Sequence, residues 1–156
     1  VEKSNANQVT KDNEAWGISV HRSFLSYVAV ATKVSVIDGQ IKVLEMVNVI
    51  DAGRIINPDR VKSQMEGAMI FGLSIALMGQ IDVKNGVVVQ SNYHDYPMLR
   101  MHQSPKISSF VVESDELAAG VGEPGVPPVA ASLCNAIFKA SGTRIRDLPV
   151  NKHLRV

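Results

Sequence analysis

The chain has a single cysteine, Cys134, in 156 residues. That excludes an internal disulfide framework and any Cys-rich zinc or iron–sulfur site. Aromatic residues are 5% of the chain beside 11 Gly and 7 Pro, which suggests close backbone packing and shaped loops more than an aromatic-lined binding face. There is no bias of charge, with 16 basic against 15 acidic residues and a formal net charge of +1. Composition therefore gives no electrostatic argument for nucleic acid as a partner. No apolar run reaches the ~18 residues that a membrane span needs, and no signal peptide, internal repeat or low-complexity tract stands out. The chain begins at Val1 in place of Met, which suggests a processed product or a piece of something longer.

What is present is a globular composition: 46% apolar and 20% charged residues exclude disorder. The length suits one domain. Residues 1–15 are polar and aperiodic and read as a mobile arm or surface helix stub; the domain proper is expected over 16–156. A short strand is expected from Trp16 to Arg22. From Ser26 to Ile37 the pattern alternates, placing Val28, Val30, Val34 and Val36 on one face. Asp38-Gly39 is a hairpin signal, and a partner strand runs from Ile41 to about Ile50. Asn57-Pro58-Asp59 combines an N-cap, a first-turn proline and a first-turn acid. It predicts a helix from Pro58 to about Met78, closed by Gly79.

Asn85-Gly86 marks a second hairpin, between 81–83 and 87–89, and Ile107–Glu113 a further short strand. Pro127-Pro128 opens a second helix to about Ala140, closed by Gly142. The fold class is therefore α+β: a two-layer domain with antiparallel hairpins in a mixed sheet, packed with two apolar helices. The helices are too apolar for a layer with one wet face. Met65–Met78 carries polar side chains only at Glu66 and Ser74, so one helix face is expected to contact other protein.

The loop Gly120-Val-Gly-Glu-Pro-Gly125 is the most informative segment. Pro124 biases Glu123 away from helical backbone, and the glycines let the main chain lie close to a ligand. The nearest basic residues are Lys106 and Lys139. Apolar neighbours are expected to desolvate Glu123 and raise its pKa, which suits a general base. The adjacent helix N-terminus acts in the opposite sense. A solvated Glu in a surface Gly-Pro loop is the other reading. Gln64 stands where the first helix turns from charged to apolar; its amide either holds a polar ligand or bonds to neighbouring backbone. His21, His94, His102 and His153 have no helical metal spacing. Cys134 reads as an inert core thiol, and Asp51 and Arg54 as a local pair. The basic residues Arg144, Arg146, Lys152 and Arg155 read as a solvated tail or a phosphate contact. The glycine loop lacks the Lys of a P-loop, which argues against a nucleotide site.

Taken in order, DAGRIINPDRVKSQMEGAMIFGLSIAL, NYHDYPMLRM and GVGEPGVPPVAASLCNAIFKASGTRIRDLP resemble the molybdenum hydroxylases, the xanthine oxidase and aldehyde oxidoreductase family, over about residues 16–150. HDYPMLRM and GEPGVPP favour the branch of the large, molybdopterin-binding subunit of bacterial isoquinoline 1-oxidoreductase. The resemblance implies a C-terminal part of that catalytic subunit, hydroxylating an N-heteroaromatic or aldehyde carbon with water-derived oxygen. It implies Glu123 as general base, with Gln64, Gly122 and Gly125 beside the cofactor and no side chain on the metal. The cofactor would be molybdenum on a molybdopterin, of the cytosine dinucleotide form in a bacterial enzyme. The implied partners are the remainder of the large subunit and a 2Fe–2S small subunit whose iron–sulfur clusters carry electrons away. Nucleic acid and a membrane span are not among them. The resemblance leaves both cytoplasmic and periplasmic bacterial compartments open.

This chain has MEGAM where many relatives have EGG, so Ala68 stands in place of a Gly. Cofactor loops and pocket aromatics of the family lie upstream of this segment, so the isolated piece is expected to be inactive. The alternative function is a non-enzymatic interaction module that reuses the fold, with its apolar helix faces as the interface.

Overall fold

In a computed structural model, the chain is described over residues 2–8 and 10–156. The strands are β1 (Glu14–Ser23), β2 (Ser26–Ile37), β3 (Gln40–Asp51), β4 (Val83–Lys84), β5 (Val87–Val88) and β6 (Lys106–Val111); the α-helices are α1 (Pro58–Met78) and α2 (Pro127–Ser141). The main sheet has the order β1-β2-β3-β6, and β4-β5 form a separate small hairpin. β1, β2 and β3 are antiparallel, and β6 joins β3 in parallel. The expected α+β fold, with a mixed sheet and two helices, is the one observed.

Local chemistry accounts for the elements. Asp38 and Gly39 both take positive φ (49° and 73°), turning β2 into β3 within two residues. The Asn57 side chain caps α1 by accepting the Arg60 N–H at 3.1 Å, with Pro58 in the first turn. Such a cap stabilises a helix by about 1 kcal/mol. Prolines likewise open α2, and Gly142, left-handed at φ 76°, closes it.

The valines of β2 meet the helices as their alternation requires. Val28, Val30 and Val34 are fully buried with Met46 and Ile50 of β3, Met65, Met69 and Leu73 of α1, and Leu133 and Ile137 of α2. One polar contact crosses this core: the Thr32 and Ser132 hydroxyls lie 2.7 Å apart and tie β2 to α2. α2 comes close enough to β1 that a Cβ on Gly17 would lie 2.1 Å from the Ser132 carbonyl oxygen.

Of the two readings of the N-terminal segment, mobile arm or surface helix stub, the described residues include a short helical turn. β1 begins at Glu14, and residues 2–4 form a 3-10 turn. Ala6 is buried with Trp16, Ala31 and Val47, and Lys3 lies over the Phe110 ring. Polarity hid this, because one alanine and a lysine stem suffice to cover that part of the sheet. The basic tail also folds back. Arg155 donates its guanidinium to the Asp38 carbonyl at 2.7 Å, and its backbone exchanges hydrogen bonds with Gly39 and Ile41.

Apolar surface remains on α1, where Phe71 is 53% and Ile75 37% exposed. The outer face of the sheet carries more: Val20 is 68% and Tyr27 51% exposed. Among the described residues no helix is long and apolar enough to cross a membrane.

Candidate active site

Two elements build the site: the second turn of α1 and the loop between β6 and α2. They meet through Gln64, whose Nε2 donates to the Gly122 carbonyl at 2.7 Å. The structure thus brings together Gln64 and the glycine loop, 58 residues apart in sequence. Of the two readings of Gln64, the backbone bond is present for its amide nitrogen, and its Oε1 stays without a protein hydrogen-bond partner among the described residues.

The loop is fixed along its length. Ala119 N donates to Ala52 O at 2.9 Å, and Gly120 N donates to Phe24 O at 3.0 Å. Ser26 Oγ donates to Gly120 O at 2.6 Å. Beyond Glu123, Val126 N closes a turn on the Glu123 carbonyl at 3.0 Å, and α2 follows at once.

The glycines of the loop part company. Gly122 is exposed, with open space where a Cβ would stand. Gly125 is buried, and a Cβ there would lie 2.8 Å from the Ala68 Cβ and 3.1 Å from the Met65 sulfur. The absence of a Cβ on Gly125 lets the loop lie close against Ala68 and Met65 of α1.

Glu123 differs from expectation in its surroundings. Its carboxylate is exposed and has no hydrogen-bond or ion-pair partner among the described residues. Of the apolar neighbours expected to desolvate it, Val121 and Val126 pack against the core, Pro128 is buried and Pro127 is exposed. The two larger clefts, about 520 and 550 Å³, are lined by 40–44 with 102–106 and by 53–58 with 111–115; neither includes Gln64 or Glu123. Gly122 and Glu123 lie on the surface, on a hydrogen-bonded main chain that presents a carboxylate without a partner among the described residues.

The other singled-out residues lie apart from it. Among the described residues no three of His, Cys, Asp and Glu gather as a metal cluster. Asp51 accepts the Gly53 N–H at 3.1 Å instead of pairing with Arg54. Burial pushes the Cys134 thiol up, against the lowering pull of Arg144 and Arg146, which disfavours a thiolate nucleophile.

The NYHDYP segment owes its shape to Asp95. Its carboxylate accepts the Asn92 and Ser91 N–H groups and the Ser91 hydroxyl, which lowers its pKa to about 2. A depressed carboxylate stabilises the fold above its unfolded pKa, and that contribution is lost as pH falls through the folded value. Carboxyl chemical shifts are therefore expected to place the Asp95 midpoint near 2, with the Ser91 and Asn92 amides still protected at about pH 3.

Residues 4–105 match the family described as "Molybdopterin cofactor-binding domain". The chain belongs to that family. The matched range ends before the loop that carries Glu123. Among curated relatives, the isoquinoline 1-oxidoreductase beta subunit of Brevundimonas diminuta is 46% identical over 105 residues, covering 67% of this chain and 13% of the relative. The chain thus spans about an eighth of that relative's length. Among solved structures, quinoline 2-oxidoreductase from Pseudomonas putida 86 superposes with a TM-score of 0.73 at 20% identity, over 80% of this chain and 17% of that one. Aldehyde oxidoreductase from Desulfovibrio desulfuricans ATCC 27774 superposes at 0.67 with 28% identity, over 83% and 15%. A xanthine dehydrogenase and an aldehyde oxidoreductase of Escherichia coli, each 36% identical, are named as molybdenum-binding subunits, in keeping with the family that the motifs resemble.

Proposed function

We propose that this molybdopterin-binding domain is the C-terminal part of the catalytic subunit of a molybdenum hydroxylase, with Glu123 as the general base. The observation that carries the reading is the Gln64–Gly122 hydrogen bond, which ties the α1 amide to the main chain one residue before Glu123 in a molybdopterin-family fold. The residues present fit a bound pterin. Gly122 and Gly67 each leave open space where a Cβ would stand, and Gln64 Oε1 has no protein partner among the described residues.

When bound, the molybdenum cofactor supplies the two-electron redox chemistry. Gln64 and Gly122 would hold its polar edge. Gly125 would contribute by seating the loop. Glu123 would take a proton from the water-derived oxygen that enters the substrate. A carboxylate with no ion pair is free to accept that proton. Desolvation of Glu123 would come from polypeptide that also covers Phe71, Ile75 and the outer sheet face, the remainder of the large subunit. The substrate would be an N-heteroaromatic ring or an aldehyde, as the relatives' names suggest. Electrons would leave to iron–sulfur clusters on a small subunit, and the pterin would carry a cytosine dinucleotide. The isolated piece would be inactive, because the rest of the site lies elsewhere.

Metal and pterin analysis of the complete subunit tests this directly. Molybdenum and a pterin nucleotide are expected in equal amounts with the polypeptide. A fully folded subunit without either would leave the interaction-module reading in its place.

A further inference from the structure

The turn between β1 and β2 contains two bulky apolar residues in the left-handed region: Phe24 at φ 51° and Leu25 at φ 66°. Two-residue turns of this kind favour Asn and Gly, because a Cβ is strained there. Burial does not offset the strain, since Phe24 is 60% and Leu25 73% exposed. Strain of this kind persists where neighbouring structure over-determines it, and it clusters at functional sites.

The neighbour here is Gly120, which is held on three sides. Its N–H donates to Phe24 O at 3.0 Å. Its carbonyl accepts from Ser26 Oγ, on a fully buried serine, at 2.6 Å. A Cβ on it would lie 2.6 Å from the Phe24 Cβ. The hairpin under this turn is a continuous antiparallel ladder out to Ser23 and Ser26. Gly120 lies three residues before Glu123, and Gly122 is held independently by Gln64 at 2.7 Å. The main chain leading to the carboxylate therefore has two anchors, one on the β1–β2 tip and one on α1.

We propose that the Phe24–Leu25 turn is a clamp for the Glu123 loop, acting through the Phe24 backbone carbonyl and the Ser26 hydroxyl on Gly120, with Ser26 a positioning residue that helps set where the carboxylate stands. This rests on the reading of Glu123 as the base. A misplacement of ~1 Å at a reacting group is enough to cost about a hundredfold in rate, so a shift at Gly120 is felt at the proton transfer.

The test uses the complete subunit with its cofactor and partner chains. Gly120→Ala is expected to lower kcat by about tenfold or more with KM within about twofold, and to speed amide exchange at Gly120. Adding Phe24→Gly removes the opposing Cβ and is expected to restore both the rate and the protection. Ser26→Ala loosens the same anchor without steric load and is expected to lower kcat while sparing KM. A Gly120→Ala variant with wild-type kcat, or a loss that Phe24→Gly fails to recover, overturns the clamp. Glu123→Gln is measured alongside. If that variant keeps full turnover, the base reading fails, and amide exchange alone decides the clamp: protection lost in Gly120→Ala and regained with Phe24→Gly upholds it, and unchanged exchange overturns it.

Discussion

Replacing Glu123 by Gln in the complete subunit is expected to lower kcat by about two orders of magnitude or more, the range over which a positioned general base acts. Glutamine keeps the shape of the side chain and its capacity to hydrogen-bond but cannot hold the proton. The substitution leaves the fold untouched for a structural reason. The carboxylate has no partner among the described residues, and the turn at this position is closed by the Glu123 backbone carbonyl, not by the side chain. Molybdenum content is therefore expected to stay at the wild-type level while turnover falls. Steady-state kinetics beside metal analysis separates the two, and an unchanged kcat would remove Glu123 from the reaction.

Gly17→Ala is expected to destabilise the chain by about 3 kcal/mol or more, the upper part of the range for overpacking. The methyl would lie 2.1 Å from the Ser132 carbonyl oxygen and 2.2 Å from the Ala136 nitrogen, both backbone atoms of α2. A rotamer change cannot relieve such a contact. The helix itself must move off β1, stretching the Asn135–Ile18 bond and the Thr32–Ser132 contact that hold it there. Against a typical net stability of about 5–15 kcal/mol, that is a large fraction. Urea unfolding checks it, with the midpoint falling and the slope unchanged. Gly67→Ala is the matched control. Nothing lies within 4 Å of its would-be Cβ, so the higher helix propensity of alanine is expected to leave stability equal or slightly raised.

Much of the fold was legible because punctuation and period agreed. Asn57-Pro58 and Gly79 bracket α1, and Pro127 and Gly142 bracket α2, as their capping chemistry requires. Of the four valines that the alternation of β2 put on one face, Val28, Val30 and Val34 are buried and Val36 is partly buried. The outline of the site was legible too, since Gln64 and the GVGEPG loop do meet. What could not be read were effects that arise from distance in the sequence. The Ser23-Phe-Leu-Ser26 hairpin has no Asn or Gly at its turn, so its hold on Gly120 left no local mark. The close approach of Gly125 to Ala68 and Met65 joins positions about sixty residues apart. The apolar neighbours Val121 and Val126 pack against the core while Glu123 stays exposed, which composition alone does not reveal. The packed N-terminal segment escaped notice because its anchor is one small residue, Ala6.

The parallel strand has a consequence for how the molecule comes together. β1, β2 and β3 zip across turns of two residues, which is rapid and local. β6 reaches β3 only after a long excursion, with its Asn48–Ser109 bond joining positions 61 apart, and α2 docks on β2 across 100. Contacts of such separation bear the greater loop-closure entropy and form late. The loop that carries Glu123 hangs between those two long-range contacts, so it is expected to be among the later regions to acquire its native shape.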